Sequence, residues 1–157
     1  MRRSRAVGAI VVGLFAALLT AEPGLACSTR EVAVSVAFSG YPDLAGLVAR
    51  LEYPQDKLTI PGTENDPEVL ARLTSLTSGI LSGRDDDFDN DGIDERLEVG
   101  LISPSPTIPS GAFAEVEFDC LAGGDSVGAA DFACTVVDAT TSSGTDISGA
   151  TCSVVVE

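Results

Sequence analysis

Apolar and polar residues alternate with a period of two through much of the chain beyond residue 30. Val32, Val34, Val36 and Phe38 are separated by small or polar residues, the pattern of a half-buried strand. Ala45, Leu47, Ala49, Leu51 and Tyr53 line one face of the next run, with Arg50 and Glu52 on the other. Shorter or similar runs cover 58–60, 97–101, 112–120, 132–137 and 151–156. Turn-forming residues punctuate them at 39–43, 54–56, 61–62, 103–110, 121–130 and 140–149. Asp66-Pro67-Glu68 reads as a helix start: a capping Asp, Pro in the first turn, then an acid near the positive helix end. Leu70, Leu73 and Leu76 follow at spacing three, and the helix is expected to stop before Gly79. Many short alternating segments with one brief helix predict an all-β fold, an antiparallel β-sandwich. Phe38, Tyr53, Phe113 and Phe118 fall on strands and are expected in its core, whereas Tyr41 and Phe88 fall in loops.

The first 26 residues break this pattern. Arg2, Arg3 and Arg5 precede an uncharged run from 6 to 21, and Gly24-Leu25-Ala26 places small residues before Cys27. This is the plan of a secretory signal peptide cleaved after Ala26, leaving a domain at 27–157. The apolar run is shorter than the ~20 residues that span a bilayer. Cys27 directly after the cleavage point also allows a lipid-bearing cysteine, but Gly24 stands where the lipoprotein pattern has Leu.

The whole chain of 157 residues carries a net charge of −15. Nine basic residues less three Arg, and 24 acidic residues less Glu22, leave six against 23, so residues 27–157 carry −17. Such a balance excludes ordinary phosphate-backbone binding and attraction to anionic membranes, and it attracts cations. The sequence contains no His, which removes the usual general base and the commonest zinc ligand. A serine nucleophile would lack its usual partner, the single Lys57 has no Ser-x-x-Lys context, and no Gly-rich phosphate loop opens a helix. The reading is therefore a non-enzyme.

Four cysteines, at 27, 120, 134 and 152, lie in an exported chain, so two disulfides are expected. Three pairings are possible. Cys120 ends one strand-like run and Cys134 opens the next, so a hairpin would join them and leave Cys27 with Cys152.

The sharpest chemical motif is residues 87–98, Asp-Phe-Asp-Asn-Asp-Gly-Ile-Asp-Glu-Arg-Leu-Glu, which fits D-x-D-x-D-G-x5-E. Hard oxygen ligands at alternate positions, with Gly at the sixth, let a loop wrap Ca²⁺. Asp87, Asp89 and Asp91 would give side-chain oxygens and Ile93 its carbonyl. Glu98 would close the shell, or Asp94 would, as in the thrombospondin-type Asp-rich repeats that this run also resembles. The helical frame of an EF-hand is missing, since glycines precede the loop and a strand-like run follows it.

The order of signals resembles a cohesin-type domain within the wider group of carbohydrate-binding-module-like sandwiches. The stretch Leu44-Ala45-Gly46-Leu47, then Leu51-Glu52-Tyr53-Pro54 and Leu58, looks like the family's second and third strands. Residues 97–103 are similar to its central strand, and 110–118 to a later one. Pro54 directly after Tyr53, where the family has Asp, and two disulfides are departures. The resemblance implies a jelly roll with first and last strands adjacent and parallel, which would put Cys27 near Cys152. It also implies a secreted binding module that docks another extracellular protein, as cohesins hold dockerins, or binds a polysaccharide. With no Trp, and with only Tyr41 and Phe88 in loops, an aromatic sugar platform is poorly supplied.

Overall fold

A computed structural model of the chain describes residues 27–40, 44–103 and 107–157. The expected signal peptide (1–26) and Tyr41 lie outside the described residues. The fold is an all-β sandwich of two antiparallel sheets with one short helix. The strands are β1 (Thr29–Ala37), β2 (Gly46–Glu52), β3 (Leu58–Thr59), β4 (Leu73–Ser75), β5 (Ile80–Asp86), β6 (Arg96–Ile102), β7 (Gly111–Cys120), β8 (Ala133–Thr140) and β9 (Thr151–Val156). Helix α1 (Pro67–Ala71) lies between β3 and β4. Sheet A has the order β3-β7-β1-β9, with β4 also on β7, and sheet B has β5-β6-β2-β8.

The period of two explains the core. Val32, Val34 and Val36 of β1, Leu47, Ala49 and Leu51 of β2, and Leu97, Val99 and Leu101 of β6 all point between the sheets and are buried. Phe113, Val116 and Phe118 of β7 fill the same layer, each large side chain contributing ~1.5–3 kcal/mol by leaving water. Tyr53 and Phe132 pack on Phe118, with ring centroids 4.9 and 5.8 Å away. Phe38 is only partly buried. Leu58 and Ile60 close the core below β3, and Leu44 and Ile108 close it beyond β2.

Three expectations are corrected. The helix ends at Ala71, and Leu73 enters β4 instead of a third helical turn. Val69 is the residue α1 buries, while Leu70 is exposed. β1 and β9 are neighbours, but antiparallel, with Val32 opposite Val156 and Val36 opposite Cys152. The disulfides are Cys27–Cys120 and Cys134–Cys152, not Cys120–Cys134 and Cys27–Cys152. The reason is topological. β7 and β8 follow one another in sequence but do not form a hairpin: β7 pairs with β1 in sheet A and β8 with β2 in sheet B. Cys120 therefore meets the residue just before β1, and Cys134 meets β9 where the edges of the two sheets come together. Both bonds fit an oxidising, extracellular-type environment. The Cys27 sulfur is the atom that a lipid thioether would need, and here it is in a disulfide. No helix among the described residues is long and apolar enough to cross a membrane.

Among the described residues, a carboxylate and a phenol meet inside this layer. Asp85 of β5 is fully buried, and Tyr53 donates its hydroxyl to the carboxylate, 2.9 Å to Oδ2 and 3.1 Å to Oδ1. The Asp85 backbone is bridged to Glu64 in both directions (2.6 and 2.9 Å). Burial pushes the Asp85 carboxyl up to about 7, with Asp94 and Glu95 adding to the rise against the Tyr53 hydrogen bond. Burial also raises the Tyr53 phenol, and the Asp85 carboxylate adds to that rise.

Candidate functional site

β5 and β6 are paired from Ile80↔Ile102 to Asp86↔Arg96, so residues 87–95 form the tip of one hairpin. The tip is built by its own acids. Asp87 accepts the N–H of Asp91 at Oδ1 (3.1 Å) and that of Gly92 at Oδ2 (2.8 Å). Asp89 accepts the Asp91 N–H as well (3.1 Å), and Asp91 accepts the N–H of Ile93 (2.9 Å). The turn needs positive φ twice, at Asn90 (62°) and Gly92 (93°), residue types that tolerate it. Two neighbouring segments hold the tip from outside. Gln55 donates to Asp91 Oδ2 (3.1 Å), and Thr63 donates to Asp94 Oδ1 (3.4 Å). Phe88, exposed, lies under the Arg96 guanidinium at 4.0 Å, and Arg96 is ion-paired with Asp86.

The carboxylate oxygens of Asp87, Asp89 and Glu95 lie within 4.8 Å of one another. Glu95 uses Oε1 to accept the Phe88 N–H (2.9 Å), and its buried Oε2 has no hydrogen-bond partner. Partial burial raises the Glu95 carboxyl above its usual range, and the charges of Asp89 and Asp87 add to this. Asp94 is raised too, by burial first and then by Asp87, Asp86 and Glu64. Oxygen donors only, crowded and carrying excess negative charge, suit a hard divalent cation such as Ca²⁺.

The predicted ligands are thus distributed unevenly. Asp87 and Asp89 enter the cluster. Asp91 and Asp94 are at the tip but hold Ile93, Gln55 and Thr63, and the Ile93 side chain is exposed. Glu98 is elsewhere: it is bonded to Arg50 on β2, 2.7 Å from Nη2. In an EF-hand the exiting helix turns the twelfth residue back onto the ion. Here a strand begins at Arg96, and at ~3.3 Å per residue it carries Glu98 away along the sheet. The carboxylate that does lie beside Asp87 and Asp89 is that of Glu95, the ninth position. The missing helical frame was the sequence signal that could have pointed there.

The same hairpin contributes half of the outer face of sheet B, which the registers lay out in four rows. The first is Ile80, Ile102, Gly46 and Thr140; the second is Ser82, Gly100, Val48 and Asp138. The third is Arg84, Glu98, Arg50 and Thr135; the fourth is Asp86, Arg96, Glu52 and Ala133. Ile80 (75% exposed) and Ile102 (64%) are the most exposed large apolar side chains among the described residues. Beside them lies a shallow trough of about 470 Å³, floored by Gly46, Val48 and Gly100 and rimmed by Thr140, Ser142 and Ile102. A Cβ on Gly46 would come within 2.6 Å of Thr140 Oγ1, and one on Gly100 would collide with Ser82 Oγ, so these hydroxyls occupy the space that larger residues would take. Three basic and four acidic side chains share the face, and most are paired. On sheet A, Glu31, Glu115, Glu117 and Asp119 lie on the outward side of β1 and β7, countered by Arg72.

Comparison of the chain with known protein families, with curated proteins and with solved structures finds no match in any of the three.

Proposed function

We propose that the chain is a secreted, non-catalytic binding module that docks another extracellular protein on a sheet face, in the manner of the cohesin-type domains it resembles, and that Ca²⁺ stabilises its Asp-rich hairpin tip. The observation that carries the reading is the outer face of sheet B. On a body of net charge −17 it is close to neutral, and it presents exposed apolar side chains beside a trough. Apolar patches of this kind, rimmed by polar residues, mark interaction surfaces. A polysaccharide reading has support in the same trough, whose Ser82, Thr140, Asp138 and Ser142 could meet sugar hydroxyls. Among the described residues lining it there is no aromatic ring to stack on a pyranose.

Two measurements test this. Incubation with insoluble polysaccharides decides the sugar case: the protein is expected to stay in the supernatant, and depletion onto the polymer would reverse the ranking. Immobilised protein exposed to extracellular material is expected to retain a protein partner that Ile102→Asp releases; retention indifferent to that change would remove sheet B from the reading.

For the tip, calorimetric titration is expected to show one Ca²⁺ site in the range of ~10⁻⁴–10⁻³ M, as for extracellular modules. Asp87→Asn and Glu95→Gln should each weaken it at least tenfold, while Glu98→Gln leaves it within about twofold. Loss of binding in Glu98→Gln alone would return the closing ligand to position twelve.

A further inference from the structure

We propose that two copies of this chain associate face to face through the outer surface of sheet B, about a two-fold axis lying parallel to the strands between β2 and β6. This deepens the interaction-module reading by naming one partner, a second copy, and rests on it only to that extent.

A symmetric interface brings residue i against j and j against i. With the axis between the two central strands, each β6 residue comes to lie over the residue of the other copy's β2 that is its own register partner. Those partners are Ile102 and Gly46, Gly100 and Val48, Glu98 and Arg50, Arg96 and Glu52. Ile102, protruding, sits over Gly46, where the Thr140 hydroxyl fills the Cβ position, and Val48 sits over Gly100, where the Ser82 hydroxyl does, so each apolar side chain meets a flat spot and not a second bulky side chain. Glu98 and Arg50, partly exposed and paired within each copy, meet Arg50 and Glu98 of the other, so the four charges alternate in sign. The outer strands follow, with Ile80 over Thr140 and Ser82 over Asp138.

Electrostatics favours this face over the alternatives. Two bodies of net charge −17 repel, but at physiological salt the Debye length of ~8 Å leaves local charge decisive at contact. Sheet B, with three basic and four acidic side chains, brings almost no like charge together. The same operation on sheet A, with the axis between β7 and β1, would set Glu117 against Glu31 twice.

Size sets the strength. Four strands ~4.8 Å apart and seven residues at ~3.4 Å cover roughly 450 Å² per copy, about 900 Å² for the pair. That is below the ~1,600 Å² of a standard stable interface and within the weak, reversible class.

Sedimentation velocity of the purified, disulfide-bonded protein between about 10 µM and 1 mM tests the proposal. The weight-average sedimentation coefficient is expected to rise toward that of a dimer. Ile102→Asp, at an exposed position, should weaken association at least tenfold. Arg50→Glu alone sets a second carboxylate against Glu98 of the other copy, and Glu98→Arg alone sets two guanidinium groups against each other, so each variant alone should be monomeric. An equimolar mixture of the two restores both contacts between unlike copies and should associate again. A protein that stays monomeric to 1 mM, or a mixture no better than its components, overturns the dimer. In that event sheet B is left to an unlike protein, which the capture experiment above reads separately.

Discussion

Replacing Cys27 and Cys120 together by Ser should lower the stability of the folded domain by about 4–5 kcal/mol, and replacing Cys134 and Cys152 by about 3 kcal/mol. The difference comes from the closed loops: the first bond joins residues 93 apart and the second residues 18 apart. In the chain-entropy account a cross-link restricts the unfolded ensemble more as the loop grows. Each pair also links separate parts of the body. Cys27 precedes β1 and Cys120 ends β7, so this bond secures the central pairing of sheet A at one end. Cys134–Cys152 joins the edge strands of the two sheets. Thermal melts of the two double variants, measured with and without reductant, check the order. The expected fall in midpoint is on the order of 15 °C for the first pair, with a smaller fall for the second. Equal losses would show that loop length is not what governs them.

The second large effect is a pH dependence opposite to the usual acid lability. Asp85 titrates near 7 in the folded protein and near ~3.9 when unfolded. A group whose folded pKa is raised contributes stability that is full below the unfolded value and is lost as pH climbs through the folded one. Between about pH 4 and pH 7 the cation-free domain should therefore lose on the order of 3–4 kcal/mol from Asp85. The raised Asp94 and Glu95 act in the same direction. Above about pH 8, with the carboxyl ionised in both states, the Asp85 contribution is constant. Asp85→Asn keeps an acceptor for the Tyr53 hydroxyl and removes the titration. Denaturant melts in chelator across pH 4–8 should show a falling midpoint for the native chain and a clearly flatter one for this variant. A parallel slope in both would relieve Asp85 of the role.

Much of the fold is legible in the chain because binary alternation is a local property. Val32 to Val36, Leu47 to Leu51 and Leu97 to Leu101 could be read as inward rows without any partner in view. Pairing order is not local. Nothing in the runs around Cys120 and Cys134 tells that the intervening chain crosses between sheets, so nearness in sequence does not make these two sulfurs partners. Leu70, Leu73 and Leu76 carry a helical spacing, but Leu73 pairs with Val116 in an added strand, and that tertiary contact overrides the weak preference of a five-residue helix. At the hairpin tip the motif located Asp87 and Asp89, whereas the choice of Glu95 over Glu98 depended on whether a helix or a strand left the loop. The complementarity of β2 and β6 was invisible because register, not composition, creates it.

The pairing scheme has a kinetic corollary. Among the described residues, β5 and β6 are the one pair of partners that also follow one another along the chain; every other named pairing waits for a strand further downstream. β1 in particular, leading the described residues, finds its two neighbours only in β7 and β9. Closing a short turn is the least costly first step for a chain whose remaining contacts are distant. The acidic bend between β5 and β6 is therefore the natural seed of assembly, and whatever relieves the repulsion there should hasten the birth of the whole sandwich, not merely its endurance.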